Sequence, residues 1–380
     1  MIATLVFGLG CLLIAYVLAG YPLLLGWLAR RGPRAVRKQF TPRTVTVLLP
    51  VRNGGRWLAG KLDSLLGLDY PRELVEILVI SDGSTDDSEA IALRYAAHGV
   101  RLLRVPPGGK AAALNAGLAE AQGDILFFTD VRQPLDPASL RELVACLGDP
   151  EVGAASGELY IRSGNLAEEA NVGLYWKYEK SIRRRQSQVD SLLGATGAIY
   201  AMRRELAGRL EPGTLLDDVE LPLGAFFAGY RVVFEEKARA WDDPTALGAE
   251  FRRKVRTLAG NYQLLWHWPQ LLRAENRMRL HFVSHKMGRL ALPFALLAIA
   301  GSTPWLPDPL RLLAAGGQAV LYGAGAADLL IGEGNPCKRL TSPARTFLVM
   351  MGAAFCAASI LFRPGGDFWK PAAGAAPGAS

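Results

Sequence analysis

Apolar and polar positions divide the chain into three regimes. Residues 2–29 carry no charge, and at ~1.5 Å rise per residue such a run crosses a ~30 Å hydrocarbon core. From residue 44 to about 160 the pattern becomes short apolar runs alternating with helical spacing. Val45–Val51 (VTVLLPV) is near-continuously apolar, as in a strand covered on both faces. Trp57–Leu66 has helical spacing. Val75–Ser81 (VEILVIS) predicts a second strand running into DGSTDD, where Ser84 can cap the next helix with Asp87 three residues on. Val100–Val105 predicts a third strand, followed by PPGGK. Lys110–Ala121 predicts a helix and Ile125–Thr129 a fourth strand. A βαβα series of this kind implies a parallel, doubly wound sheet, whose ligands bind beyond the carboxyl ends of the strands. Those ends carry Arg52 and Asn53, Asp82, Gly108–Lys110 and Asp130.

The third regime is less regular. A long helical stretch, Ala167–Gln188, contains WKYEK and RRR. A glycine-rich loop in 194-GATGAIYAMRR-204 enters a strand. In 215–241 two adjacent acids open a helix, and a short β pair follows. Glu250–Asn261 reads as a basic helix. Tyr262–Arg289 mixes aromatic and basic residues, as in a helix lying in a membrane interface. Three apolar runs follow, about Leu290–Leu306, Leu312–Ile331 and Thr346–Phe362, the second with Asp328 near one end. The expected division is a span over 1–29, a basic linker over 30–43, a globular domain over 44–262, an interfacial segment over 263–289, spans within 290–362 and a tail over 363–380. No internal repeat is present.

Charge sharpens this layout. The chain has 380 residues, half of them hydrophobic, and a net charge of +8. Six basic residues and no acid lie in 30-RRGPRAVRKQFTPR-43. By the positive-inside rule that segment is cytoplasmic, and it favours anionic membrane lipid. Lys338, Arg339 and Arg345 follow the same rule. The expected topology is N-terminus out and globular domain in the cytoplasm. Because the excess charge sits beside the apolar runs, it is not read as nucleic-acid binding. Cys11, Cys146, Cys337 and Cys356 form no CxxC pair and support neither a disulfide framework nor a zinc site. His281 and His285 have helical metal-pair spacing, but HFVSH lacks a glutamate and reads as a membrane-surface helix.

The stretches VTVLLPVRN, VISDGSTDDS, GGKAAALNAG, FFTD, GATGAIYAMRR and LLDDVELPL, in this order, resemble the motifs of family 2 glycosyltransferases. The likeness is to the membrane-bound group that includes cellulose and hyaluronan synthases, and it covers residues 44–262. It implies an α/β fold of GT-A type. That is a doubly wound, mostly parallel sheet with one N-terminal and about three C-terminal transmembrane helices. It also implies a nucleotide-sugar donor, of UDP type. An inverting transferase needs a base for the acceptor hydroxyl and positive charge on the departing diphosphate, so positioning and electrostatics carry most of the catalysis.

The resemblance makes Asp218 the base, with Asp217 as first member of the acidic pair. Two acids opening a helix also simply complement its dipole. Leu215, Leu216 and Val219 around the pair, with the neighbouring acid, would raise the pKa of Asp218, which suits a base. Asp82 matches the residue that contacts uracil or ribose, although DGS is also an ordinary turn sequence. Pro50, Arg52 and Asn53 lie on the same donor side. Gly109 and Lys110 match the loop at the nucleotide, glycine allowing close approach and lysine supplying charge. GGKA lacks P-loop spacing. Asn115 is a lesser candidate. Gly194, Ala195, Thr196 and Gly197 match the acceptor-pocket wall. The run 183-RRR-185 offers either a solvated face or a hold on an acceptor phosphate.

Two departures stand out. Asp130-Val131-Arg132 replaces the family's Asp-x-Asp. Asp130 alone can anchor Mg²⁺ or Mn²⁺ when the diphosphate and water supply most oxygens. Arg132 can reach the diphosphate with a bidentate fork, and alternation puts it beside Asp130 if the chain stays extended. The expectation is a weakly held metal assisted by arginine, with metal-independent transfer and an outward-facing Arg132 with ordinary metal use as the alternatives. In 253-RKVRT-257, Arg256 matches the arginine of the processive Gln-x-x-Arg-Trp motif, while Arg253 and Thr257 replace its Gln and Trp. Loss of the aromatic platform argues against a polymer synthase. The reading is an inverting enzyme of the cell (inner) membrane, acting on a lipid-linked or glycan acceptor in envelope or exopolysaccharide assembly, alongside other glycan-assembly proteins. A processive synthase and a catalytically silent scaffold subunit are the alternatives.

Overall fold

The structure is a computed structural model that describes all residues except 162–166, 244–246, 333–334, 364–367 and 369–380. The PAAGAAPGAS tail therefore lies outside the described residues. Two compact units are present: residues 32–162 with 183–243, and residues 1–31 with 163–182 and 244–380.

The first unit holds a seven-stranded sheet in the order β3-β2-β1-β4-β6-β5-β7. Its strands are β1 (Val45–Val51), β2 (Val75–Asp82), β3 (Val100–Val105), β4 (Ile125–Phe128), β5 (Val152–Ile161), β6 (Tyr200–Arg203) and β7 (Arg231–Asp242). β1 pairs in parallel with β2 and β4, and β2 with β3. β6 is antiparallel to both of its neighbours, and β5 and β7 are again parallel. The expected short β pair in 215–241 is one long strand, β7, whose partner β5 lies far away in sequence.

Alternation on the strands sorts the core into two layers. Val45, Val47, Leu49, Ile77, Val79, Ile125 and Phe127 pack with Leu58, Leu62 and Leu65 of helix Gly55–Leu66 and with Leu140 and Leu143 of helix Ser139–Leu147. The opposite face receives helix Lys110–Glu120. There Gly117 lets the helix sit against β1 and β2, since a Cβ on it would lie 2.4 Å from Ile80 Cδ1. Ser84 does not cap a helix. The next helix begins at Ser88, and the Ser84 hydroxyl bonds the Val51 carbonyl at 3.3 Å and receives the Asn53 amide at 3.2 Å.

The basic linker is largely part of this unit. Arg34 pairs with Asp190 and Glu151, Lys38 with Glu142 and Glu235, and the Arg37 amide donates to Asp149. Opposite charge on the sheet unit engages these side chains, which the sequence alone left for lipid headgroups.

Among the described residues of the second unit, three helices are long and apolar enough to cross a membrane: Ile2–Arg31, Arg279–Trp305 and Lys338–Leu361. Among the described residues the C-terminal part thus has two such helices where three were expected. The middle run forms a helix over Leu310–Ala327, but Arg311, Gln318 and four glycines dilute its hydropathy. The segment 279–289 belongs to the second long helix instead of a separate interfacial one. His281 and His285 are buried there. His281 Nδ1 lies 3.1 Å from the Tyr21 hydroxyl, and His285 stacks on Tyr21. Asp328 is fully buried, bonded by the Thr341 hydroxyl at 2.6 Å and paired with Lys338 and Arg345.

Candidate active site

The carboxyl ends of β1, β2 and β4 meet the loop after β3, as parallel topology requires. Asp82, the last residue of β2, accepts the amides of Gly108 at 2.7 Å and Gly109 at 3.1 Å. Gly109 has φ +83°, a conformation that a side chain would strain. Arg52 approaches Asp82 at 3.6 Å. Asp82 therefore fixes the glycine loop, and through it the start of the helix that bears Lys110. Pro50 lies where the β1–β4 ladder has ended at Leu48, so its missing N–H breaks no bond to β4. Asn53 has φ +52°, and its side-chain Oδ1 accepts the Thr85 amide at 2.8 Å. Asn53 thus builds the turn between the β1 and β2 ends.

Lys110 is the electrostatic centre. Its ammonium lies 2.9 Å from Asp130 Oδ1 and 3.1 Å from Asp217 Oδ2. Burial works against its charge, yet Asp130, Asp217 and Asp218 outweigh burial and raise its pKa above the ordinary range. Beneath the cluster, Tyr200 stacks on Phe128 with ring centres 4.4 Å apart. Its buried hydroxyl finds no hydrogen-bond partner among the described residues. Burial, then the three carboxylates, pushes this phenol's pKa well up. Asn115 is not part of the cluster: its amide exchanges two hydrogen bonds with the backbone of Leu210.

Asp217 and Asp218 open helix Asp217–Phe227, where acids complement the dipole. Pro222 within the helix has no N–H for the Asp218 carbonyl. The amide of Ala195 takes that carbonyl at 2.6 Å. The Gly197 amide donates to Asp218 Oδ2 at 2.9 Å. A Cβ on Gly197 would lie 3.2 Å from Asp218 Oδ2 and 3.6 Å from Asp130 Oδ2. Gly194 has φ +141° against Val219, and the Thr196 amide donates to Ser156 Oγ at 2.9 Å. The loop 194–197 is thus laced to Asp218 by main chain and side chain.

Arg132 does not reach this cluster as expected. It donates to Asp242 Oδ2 at 2.6 Å, which Gln133 also contacts at 3.0 Å. The alternation rule fails because β4 ends at Phe128 and Val131–Arg132 form a turn. Arg183 is the inward member of its basic run. It donates to Ser156 Oγ at 2.8 Å and to the Ala195 carbonyl at 3.3 Å. Burial draws its pKa down to about 10, while Asp218 opposes the fall. Arg184 instead pairs with Glu236 at 2.9 Å. Arg253 and Arg256 lie on helix Leu247–His267 of the other unit, where Arg253 pairs with Glu250 at 2.5 Å.

Among the described residues no three His, Cys, Asp or Glu side chains converge as a metal cluster. Asp130, whose Oδ1 meets the Lys110 ammonium at 2.9 Å, is the carboxylate that would hold a metal drawing its other oxygens from a diphosphate.

The Glycosyl transferase family 2 model matches residues 46–210, from β1 into the segment after β6. Over that segment the chain is similar to family 2 glycosyltransferases. The probable glycosyltransferase YdaM of Bacillus subtilis is 26% identical over 57% of this chain and 55% of its own length, so the chain spans about half of that relative. An N-acetylglucosaminyltransferase of Sinorhizobium fredii is 25% identical over 70% of both chains. In architecture the chain is similar to the mannosyltransferase PcManGT from Pyrobaculum calidifontis, solved with GDP-Man and Mn²⁺. The TM-score is 0.72 at 24% identity, covering 94% of this chain and 99% of that one. This likeness shows the GT-A fold.

Sequence reasoning missed Lys61, Ser156, Tyr200 and Asp242 around the candidate site. Lys61 had a signal: it interrupts the apolar stripe Leu58, Leu62, Leu65 of its helix. The others sit on strands whose pairing only the topology reveals.

Proposed function

We propose that this chain is an inverting, membrane-anchored glycosyltransferase that moves a sugar from a nucleotide diphosphate-sugar to a lipid-linked or glycan acceptor. One observation carries the reading: the Lys110 ammonium sits between Asp130 and Asp217, with Asp218 alongside. A cation held by Asp130 after β4 and by Asp217 at a helix start gives a diphosphate its counter-charge, and Asp218 beside them gives the acceptor its base. PcManGT, with GDP-Man and Mn²⁺ bound, and the relative named an N-acetylglucosaminyltransferase support donors of this class.

In this reading the Gly108–Gly109 turn, fixed by Asp82, brings backbone close to the nucleotide. Lys110 stabilises negative charge growing on the leaving diphosphate. Asp218, oriented by the Gly197 amide, takes the acceptor's hydroxyl proton as its oxygen attacks the anomeric carbon from the face opposite the leaving group. The loop 194–197 bounds the acceptor side. A Mg²⁺ or Mn²⁺ held at Asp130 would add positive charge on the diphosphate. The three apolar helices support membrane anchorage, and Arg30 and Arg31 at the end of the first favour a cytoplasmic sheet unit.

The test is calorimetry of UDP and GDP on the detergent-solubilised full chain, with Mn²⁺ and with EDTA. Donor turnover by wild type and Asp218→Asn completes it. One nucleotide is expected to bind both proteins, with turnover in the variant down by about 10²–10⁴. Unaltered turnover in Asp218→Asn removes Asp218 as base. Failure of both nucleotides to bind moves the scaffold reading forward.

A further inference from the structure

We infer that Lys61 is a positioning residue for the donor site, clamping the segment that carries Asp130 to the loop that carries Gly197. The inference rests on the reading that Asp130 contacts the donor. Lys61 is 1% exposed on the sheet-facing side of helix Gly55–Leu66. Its amine donates to Thr129 Oγ1 at 2.7 Å and to the Gln133 carbonyl at 2.5 Å. These two acceptors bracket Asp130, Val131 and Arg132, where strand pairing has already ended. Nothing in the sheet ladder fixes these three residues, and the amine ties both of their ends. Thr129 Oγ1 in turn donates to the Ala198 carbonyl at 2.7 Å. Ala198 follows Gly197, whose amide orients Asp218. One buried side chain thus links the ends of the Asp130 segment to the loop that holds Asp218.

A packing role alone would be met by Leu or Met, without the cost of burying an amine. The two hydrogen bonds distinguish lysine from them. Burial draws the Lys61 pKa down to about 7, with Asp130 opposing the fall. The ammonium and the neutral amine both keep two N–H donors, so the clamp holds in either state.

The experiment is calorimetry of UDP and GDP with Mn²⁺ on the full chain in detergent. The proteins are wild type, Lys61→Met, Thr129→Val, Asp130→Asn and Lys61→Met/Asp130→Asn. Calorimetry separates affinity from stoichiometry. Misfolding lowers the number of sites, whereas a displaced Asp130 changes Kd. The expected result is an about tenfold weaker Kd in Lys61→Met at unchanged stoichiometry. Thr129→Val should shift Kd in the same direction, and Lys61→Met should add nothing in the Asp130→Asn background. An unchanged Kd, a loss of sites only, or a full additive effect in the double variant overturns the inference. If wild type binds neither nucleotide, the donor-site reading falls and this inference with it. Binding by wild type with an unshifted Lys61→Met overturns this inference alone.

Discussion

The main-chain oxygen of Asp218 accepts from the amide of Ala195, 2.6 Å away. Pro222 makes this possible, because the residue that would ordinarily donate to Asp218 has no N–H. A proline inside a helix is normally a defect, and here it releases an acceptor that docks the 194–197 loop. Pro222→Ala is expected to restore the helical donor and to compete with Ala195. Alanine is intrinsically about 3 kcal/mol better than proline in a helix interior, so thermal stability should hold or rise. Turnover should fall by about tenfold as the loop loosens, with nucleotide affinity unchanged. Undiminished turnover would show that the Ala195 bond is incidental.

Arg132 holds Asp242 at 2.6 Å, and Asp242 is buried. Arg132→Ala removes the cationic partner and leaves that carboxylate the neutral Gln133 amide and the Asp243 main-chain amide. The expected cost is about 2 kcal/mol, read as a lower midpoint in denaturation. Arg132→Ala/Asp242→Ala should recover much of it. Nucleotide affinity in EDTA should stay at the wild-type value in Arg132→Ala. A collapse of that affinity would instead place the guanidinium on the diphosphate.

Local pattern carried the βαβα half of the sheet, because each strand there is a dense apolar run whose next neighbour lies one helix away. Asp82, Gly109, Lys110 and Asp130 could be placed on one rim from strand ends alone. The other half was not legible in the same way. β6 runs antiparallel beside β4, and β7 pairs with β5 across some seventy residues, so no local period announces them. Alternation puts Arg132 beside Asp130 only in an extended chain, and β4 stops at Phe128, two residues before Asp130. The roles of the linker charges Arg34, Arg37 and Lys38 depended on acids far along the chain, which charge counting cannot locate.

Gly197 stands between the two site carboxylates. In Gly197→Ala the new methyl would sit 3.2 Å from Asp218 Oδ2 and 3.6 Å from Asp130 Oδ2. The φ of Gly197 is not positive, so the backbone tolerates alanine and the strain falls on the Asp218 side chain. Turnover is expected to drop by about tenfold or more with a stability change below about 1 kcal/mol. Steady-state kinetics and a melting curve decide it, and wild-type turnover in Gly197→Ala would show that Asp218 needs no such close seat.

The buried amine of Lys61 gives stability a pH dependence of definite sign. Burial, opposed by Asp130, lowers its pKa from 10.5 to about 7 in the folded chain. Between those values the unfolded chain binds a proton that the folded chain does not. Stability therefore rises with pH across this window, and the penalty is complete below about 7. Lys61→Met removes the titration. The wild-type melting temperature, measured relative to that of Lys61→Met, is expected to climb from pH 7 toward pH 10 and to be flat below pH 7. Taking the difference cancels the other titrating groups, which both proteins share. A difference that is level across pH 7–10 would mean that Lys61 keeps an ordinary pKa, with Asp130 compensating its burial in full.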